Sequence, residues 1–301
     1  MRRRYNKNEG SVKDWISTII WAGLIAITFR SFLLEPFNIP SGSMIPTLEV
    51  GDHLFVKKWS YGYSRYSFPF GSWHMFDGRF FETGEPKRGD VIVFRTPDDT
   101  LDYVKRLIGL PGDTIQMRSG HLWINGQRLE REHKGKYVVA VLPQMLRSVG
   151  FQRLDNKTGR IMVIKGNQIF EDNKPVDYRF TIEYKNDEIC RLRPDECQIQ
   201  TGDLYIETLP NGVKHEIIKM AESGRYDNTA AFIVPEGKYF FMGDNRDSSE
   251  DSRASLGFVS RDNLIGKAWF IFYSHNYYSP LLLVWNWGSK LRWERFGAEV
   301  R

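Results

Sequence analysis

Residues 15–29 read WISTIIWAGLIAITF, fifteen positions without a charge, and no other feature narrows the choice of fold as much. A run of this kind is buried either in a protein core or in a bilayer. Alone it is short for a hydrocarbon core of ~30 Å. Continued through RSFLL to Leu34 it reaches twenty residues, and at ~1.5 Å rise per residue a helix of that length spans. Arg30 then sits at the far headgroups, with its stem along the lipid and its guanidinium in water. Arg2, Arg3, Arg4, Lys7 and Lys13 precede the run, against Glu9 and Asp14. Positive charge is retained on the cytoplasmic side, which predicts the N-terminus inside and the rest outside. The exit, TFRSFLLEPFN, lacks the small-x-small pattern of a cleavable leader. The expectation is a retained single-pass anchor over 15–34, with 1–14 as a cytoplasmic tail.

Past residue 35 the pattern changes. HLFVKKW, RGDVIVFRT, LDYVKRLIGLPGDTIQM and HLWINGQRLE are short apolar-alternating runs bounded by Gly, Pro and Asp, and similar runs recur to LIGKAWFIFYS. Alternation between turn residues marks strands, and Asn125–Gly126 is a strong hairpin signal. With 41% hydrophobic and 26% charged residues, the chain can bury a core, which excludes a disordered protein. The expected fold is mainly β and antiparallel, with only a short helix or two after the anchor. Segment 121–235 is richer in charge and turn residues than its flanks and carries both cysteines. It reads as a β-rich insertion between the two parts of one catalytic core, 35–120 and 236–301.

A net charge of +5 and a pI near 9.0 suit contact with anionic lipid headgroups. Zinc-finger spacing and RNA-binding aromatic signatures are missing, so nucleic acid is not an expected partner. The six histidines form no HExxH or His-x-His pattern, so neither a metal nor another cofactor is expected. Cys190 and Cys197, in CRLRPDEC, fit no CxxC motif. Outside the cytoplasm they read as a local disulfide, and otherwise as two buried thiols. Two aromatic clusters span 59–81 and 269–293. Ordinary core packing explains such clusters in most chains. In the first, however, Tyr61, Tyr63, Tyr66, Phe68, Phe70 and Trp73 alternate with Gly, Ser and Arg, a composition that suits the bilayer interface.

The chemistry turns on FNIPSGSMIPTLEVGDHLFVKK, residues 37–58, where Pro40 and Pro46 fence in Ser41, Gly42 and Ser43. A serine in SGS is commonly a turn residue, and a serine hydroxyl needs a base to become a nucleophile. No GxSxG elbow or persuasive histidine is present. DYVKRLIGLPGD, residues 102–113, offers an alternative base. Alternation places Tyr103, Lys105 and Leu107 on one strand face, and Val104, Arg106 and Ile108 on the other. One of two adjacent cations must face inward if one face is core. The bland reading leaves both as solvated edge charges. Desolvation lowers a buried lysine's pKa, and a fall from ~10.4 to ~8 costs roughly 3 kcal/mol, which a core can supply. A neutral Lys105 amine could then take the Ser43 proton. MGDNRDSSEDSRASLGFV, residues 242–259, sets Asp244, Arg246, Asp247, Asp251 and Arg253 among serines. Its acids and arginines could form bidentate pairs that fix the backbone of a site.

PSGSMIPTL, RGDVIVF, DYVKRLIGLPGD and GDNRDSSEDSR followed by GFV occur in that order after an apolar anchor. Together they resemble the bacterial type I signal peptidase family, over roughly residues 30–115 and 236–275. One departure is the three residues Ala254, Ser255 and Leu256 between Arg253 and Gly257, one more than the family pattern has. The resemblance implies that Ser43 is the nucleophile and Lys105 the general base. It implies an oxyanion hole from Ser41 and the Ser43 backbone N–H. Ser249 would orient the lysine amine, Asp251 and Arg253 would form a structural ion pair, and Asp244 and Arg246 would lie nearby. Phe37, Ile39, Pro40 and Val104 would line shallow pockets for small side chains at −1 and −3 of the cleavage site. The implied substrates are secretory precursors, bound extended as an added strand. The implied location is the bacterial cell (inner) membrane, with membrane lipids as partners and the catalytic part on the periplasmic, extracytoplasmic face.

Two rival readings remain at this stage. Self-cleaving repressor-type proteases share a Ser-Lys dyad, but those are soluble, and the anchor argues against them. A membrane-tethered β scaffold without activity explains the anchor and the aromatics, but not an inward lysine beside a constrained serine.

Overall fold

The computed structural model describes residues 12–68, 77–143, 151–154, 161–165, 168–172, 174–185, 187–192, 199–221, 223–275 and 291–301. The basic residues before Val12, together with Phe70, Trp73, Cys197 and 276–290, lie outside the described residues. So, therefore, do the expected Cys190–Cys197 bridge and much of the second aromatic cluster.

The apolar run forms helix α1, Val12–Phe32, about 31 Å long at ~1.5 Å per residue. Its stretch Asp14–Phe32 has a mean hydropathy of 1.4 and is long and apolar enough to cross a membrane. Trp15, Trp21 and Ile25 are each more than 60% exposed, so above its foot the helix is left uncovered by the described residues. A helix apolar all round and uncovered by protein suits lipid. It ends two residues before the expected Leu34. The Leu33 N–H closes the last turn on Phe29 O, and Leu34 already pairs with Lys57 in a sheet.

The main sheet is built from β1 (Leu34–Asn38), β2 (Asp52–Lys57), β3 (Val91–Arg95) and β4 (Asp102–Gly109). Further along come β5 (Thr114–Arg118), β6 (His121–Ile124), β7 (Glu130–Pro143), β8 (Arg179–Lys185), β9 (Ile199–Thr208) and β10 (Lys214–Lys219). Then β11 (Lys238–Met242) and β12 (Leu264–Ser274) return to the main sheet. Its order is β1-β2-β12-β3-β4-β11, with the short strand Val259–Ser260 at the end, and its ladders are antiparallel. Met44, Leu48, Leu54, Val56, Val93 and Ile271 pack into one buried cluster on this sheet.

A second sheet runs β8-β7-β9-β10. Its β7–β8 ladder is parallel and lies within segment 121–235, outside the antiparallel main sheet. The chain between Pro143 and Arg179 is long enough to return to the starting end before β8 begins, which parallel pairing requires. Residues 151–176 contribute a third sheet. After β6 the chain turns back into a short strand, Gln127–Arg128, at Asn125 (φ 51°) and Gly126 (φ 78°), the left-handed pair that Asn-Gly favours.

The foot of α1 is tied to the body. Glu35, in β1, accepts from Arg30 Nε (2.9 Å) and Nη2 (2.7 Å) and pairs with buried Lys58 (2.7 Å). Lys58 also donates to Ser67 O. The Tyr63 hydroxyl donates to Phe32 O (2.7 Å), and the Tyr63 and Phe68 rings pack on Phe32. Part of the first aromatic cluster therefore gathers at the end of the apolar helix. Tyr61 and Tyr66 do not share that role. They are 2% and 9% exposed, because the Tyr61 hydroxyl reaches inward to Asp90 (2.8 Å) and Tyr66 packs in the main core.

Candidate active site

Ser43 is held by a chain segment with little freedom. After β1, the Ile39 N–H donates to Asp52 O (2.8 Å) and Ile39 O accepts from Gly51 N–H (3.0 Å). Gly42–Met44 then make a single 3-10 turn. Met44, Ile45 and Leu48 are sunk in the interior, while Pro40 and Ser41 stay exposed. The apolar residues after the serine thus hold it from below, and Ser43 itself is buried.

Lys105 comes from the middle of β4, in register with Ile92 of β3. Alternation demands that one of Lys105 and Arg106 be buried. Both are, at 4% and 0% exposure, because this inner stretch of β4 is covered on both faces and each cation finds its own partner. Lys105 Nζ lies 2.5 Å from Ser43 Oγ. Arg106 forks onto Asp244 with Nε at 2.8 Å and Nη2 at 2.7 Å, and its Nη1 donates to Gly89 O (2.8 Å). The Tyr103 ring, on the same strand face as Lys105, stands 5.1 Å from Nζ.

Burial drives the Lys105 pKa from 10.5 down to about 8, against the opposing pull of the Asp251, Asp244 and Glu250 carboxylates. Near neutral pH a useful fraction of the amine is therefore uncharged and able to accept the Ser43 proton. The Ser41 hydroxyl lies 3.5 Å from Ser43 Oγ, on the exposed side of the turn.

The loop after β11 frames this pair. Arg253 forks onto Asp251 through Nε (2.9 Å) and Nη2 (2.8 Å), and Asp251 also accepts from the N–H groups of Gly243 (3.0 Å) and Arg253 (3.1 Å). Burial alone would raise the Asp251 pKa, but Arg253 and these hydrogen bonds hold it below the usual carboxylate range. Asp244 is depressed in the same way, with Arg106 outweighing burial. The Asp251–Arg253 pair thus has the expected form. Asp244 and Arg246 each find a distant partner instead of a neighbour in the loop. Asp244 takes Arg106 and Thr47 Oγ1 (2.5 Å), and Arg246 takes Glu207.

Ser249 does not make the expected hydrogen bond to the amine. Among the described residues its buried Oγ has no hydrogen-bond partner and packs against Gly243, while Lys105 Nζ donates to Ser43 Oγ. Phe37, Ile39 and Val104 meet in the cluster beneath the main sheet, and Pro40 stands exposed beside them.

The sequence reading missed four contributors. Arg106 was legible as a buried cation only if both strand faces were known to be covered. Thr47 and Gly243 carry no signal beyond sitting inside the two motifs. Asn245 sits next to Asp244, yet its contacts are with the Gly42–Ser43 turn: its N–H donates to Ser43 O (3.1 Å) and its Nδ2 to Gly42 O (3.2 Å).

The chain has matches among known protein families, named proteins and solved structures. The family described as signal peptidase, peptidase S26, matches residues 12–273. A protein named signal peptidase I from Rickettsia typhi is 37% identical over 282 residues, covering 91% of this chain and 85% of its own. Its namesake from Rickettsia prowazekii is 38% identical over 281 residues, covering 91% and 84%. A solved signal peptidase I from Enterococcus faecalis is 25% identical and covers 61% of this chain and 96% of its own. Its TM-score of 0.26 is too low to bear on the fold.

Proposed function

This chain belongs to the signal peptidase family, peptidase S26, and is a serine peptidase, and from that premise we propose that it removes signal peptides with Ser43 as nucleophile and Lys105 as general base. The observation that carries this reading is the 2.5 Å contact between a buried lysine amine and a buried serine hydroxyl. In the neutral state Lys105 takes the Oγ proton as Ser43 attacks the scissile carbonyl carbon. The oxyanion of the tetrahedral intermediate accepts hydrogen bonds from the Ser41 hydroxyl and the Ser43 N–H. The new ammonium returns the proton to the leaving amine as the C–N bond breaks, leaving an acyl-enzyme. Water, deprotonated by the same amine, then releases the signal peptide and regenerates the serine.

The precursor lies extended against β1, an edge strand whose outer hydrogen-bonding side is available for strand addition. Phe37, Ile39, Pro40 and Val104 provide the shallow apolar surface that admits small side chains at −1 and −3. Helix α1 spans the bacterial cell membrane with the N-terminus in the cytoplasm, and the β-rich part lies on the extracytoplasmic face. The aromatic residues gathered at Phe32 rest at the lipid boundary. Residues 121–235 are a β-rich insertion into the catalytic core.

The test is cleavage of a secretory precursor by the full chain in detergent micelles. Ser43→Ala and Lys105→Ala should each lower kcat on the order of 10⁴-fold or more while leaving the far-ultraviolet circular dichroism unchanged. Cleavage after a small-x-small site separates this activity from the self-nicking of a repressor-type protease. Near-normal activity in either folded variant would remove the dyad.

A further inference from the structure

The second sheet reaches the nucleophile through a continuous set of polar contacts. In β10, the Ile218 N–H donates to Asp244 O (3.0 Å) and Ile218 O accepts from the Arg246 N–H (3.0 Å). Asp247 accepts from the N–H groups of Met220 (2.8 Å) and Ala221 (2.9 Å), and from Lys219 Nζ (3.1 Å). Glu207, on β9, is completely buried. It accepts from Arg246 Nη1 (3.0 Å) and Nη2 and from Arg131 Nε of β7 (2.9 Å). His215 stands beside them with Nε2 3.6 Å from Glu207. Burial, with Arg106 adding to it, lowers the His215 pKa to about 3, so it adds no charge near neutral pH. Two arginines thus face one carboxylate, and burial makes each of these contacts costly to lose. The segment they grip, 244–247, carries Asn245, which holds the carbonyls of Gly42 and Ser43.

We propose that Glu207 is a positioning residue for the peptidase reaction. It locks Arg246, and through Asn245 that lock sets where the Gly42–Ser43 turn stands relative to the Lys105 amine. The second sheet thereby braces the catalytic turn, a role that its sequence does not announce. The inference rests on the Ser43–Lys105 reading.

The experiment uses the full chain in detergent micelles and a secretory precursor. It compares Glu207→Gln, Asn245→Ala, their double variant, Ser43→Ala, and Arg179→Ala as a control. Arg179 is 53% exposed on the same sheet, where it pairs with Glu216. Fold is checked by circular dichroism and thermal melting. A shift of ~1 Å at a reacting group can cost ~10²-fold, so a partial release in Glu207→Gln should lower kcat about tenfold with KM within about twofold. The midpoint of its kcat–pH profile should rise, because an amine no longer covered by the serine turn regains water. Asn245→Ala should behave likewise, and the double variant should be no worse than the worse single, since both act through one route. Arg179→Ala should match the parent.

A folded Glu207→Gln with unchanged kcat and unchanged pH midpoint would overturn the brace. So would a double variant whose loss is the product of the two single losses. If Glu207→Gln does not fold, Asn245→Ala decides: unchanged kcat overturns the proposal, and a fall at constant KM supports it. Cleavage by Ser43→Ala would instead overturn the dyad itself.

Discussion

Replacing Gly243 with alanine places one methyl group where the nucleophile turn meets the 244–253 loop. A Cβ there would stand 2.5 Å from Ser43 O, 2.2 Å from Ser249 Oγ and 2.5 Å from Ser249 Cβ. The first of these is 0.9 Å inside the 3.4 Å at which ordinary contact begins. The glycine cannot back away freely, because its N–H is held by Asp251 Oδ2 at 3.0 Å. Ser43 O cannot yield without straining its hydrogen bond to Asn245. The methyl therefore displaces Ser43, Ser249 or both, by a sizeable fraction of an ångström. Overpacking of this kind costs about 1–3 kcal/mol of stability. A displacement approaching 1 Å at a nucleophile costs up to ~10² in rate. The assay is kcat and KM for precursor cleavage, paired with urea unfolding to show that the variant is native. Gly23→Ala is the control, since among the described residues no atom beyond the helix's own backbone and its chain neighbours lies within 4 Å of a Cβ on that α1 residue. A native Gly243→Ala enzyme with kcat within about threefold of the parent would refute the argument, given that a loss of up to ~10² is expected.

On the proposed dyad, activity should rise with pH through the depressed lysine pKa, because the neutral amine would be the base. With the Lys105 pKa at about 8, roughly a tenth of the amines are neutral at pH 7, against fewer than ~1 in 10³ for an ordinary lysine. A kcat profile that is flat between about pH 6 and 9 would rule out Lys105 as the base. Asp251→Asn should cost about 3–5 kcal/mol in urea unfolding, since Arg253 is left buried without its countercharge. The native carboxyl pKa is depressed, so its contribution is present above its unfolded value of ~3.9 and fades as pH falls through the lower native value. The stability gap between parent and variant should close under acid, and a gap that widens below about pH 4 would contradict the assignment.

Much of the site was legible because its chemistry uses local rules. Two prolines around a serine, a lysine inside an apolar strand and a loop of alternating acids and arginines all carry their meaning within a few residues. The Asp251–Arg253 pair, two positions apart, was readable for the same reason. Asp244 and Arg246 were harder, because their partners, Arg106 and Glu207, lie 138 and 39 residues away and no local spacing connects them. The KR doublet was read as one inward and one outward cation, which holds only for a strand with a wet face. The parallel pairing of β7 with β8 was not legible, because a strand pattern carries no information about pairing direction. Tyr61 and Tyr66 show the same limit for aromatics, since a loop-like composition does not reveal which rings turn inward.

Only Leu33 separates the last residue of α1 from the first residue of β1, and Glu35 fastens that joint from both sides through Arg30 and Lys58. With the helix in a bilayer, so stiff a coupling works as a depth gauge. On the proposed placement the serine would keep one height relative to the lipid, and only bonds emerging there would come within its reach. Lengthening the joint by a flexible residue or two would blur that gauge without altering a single reacting atom.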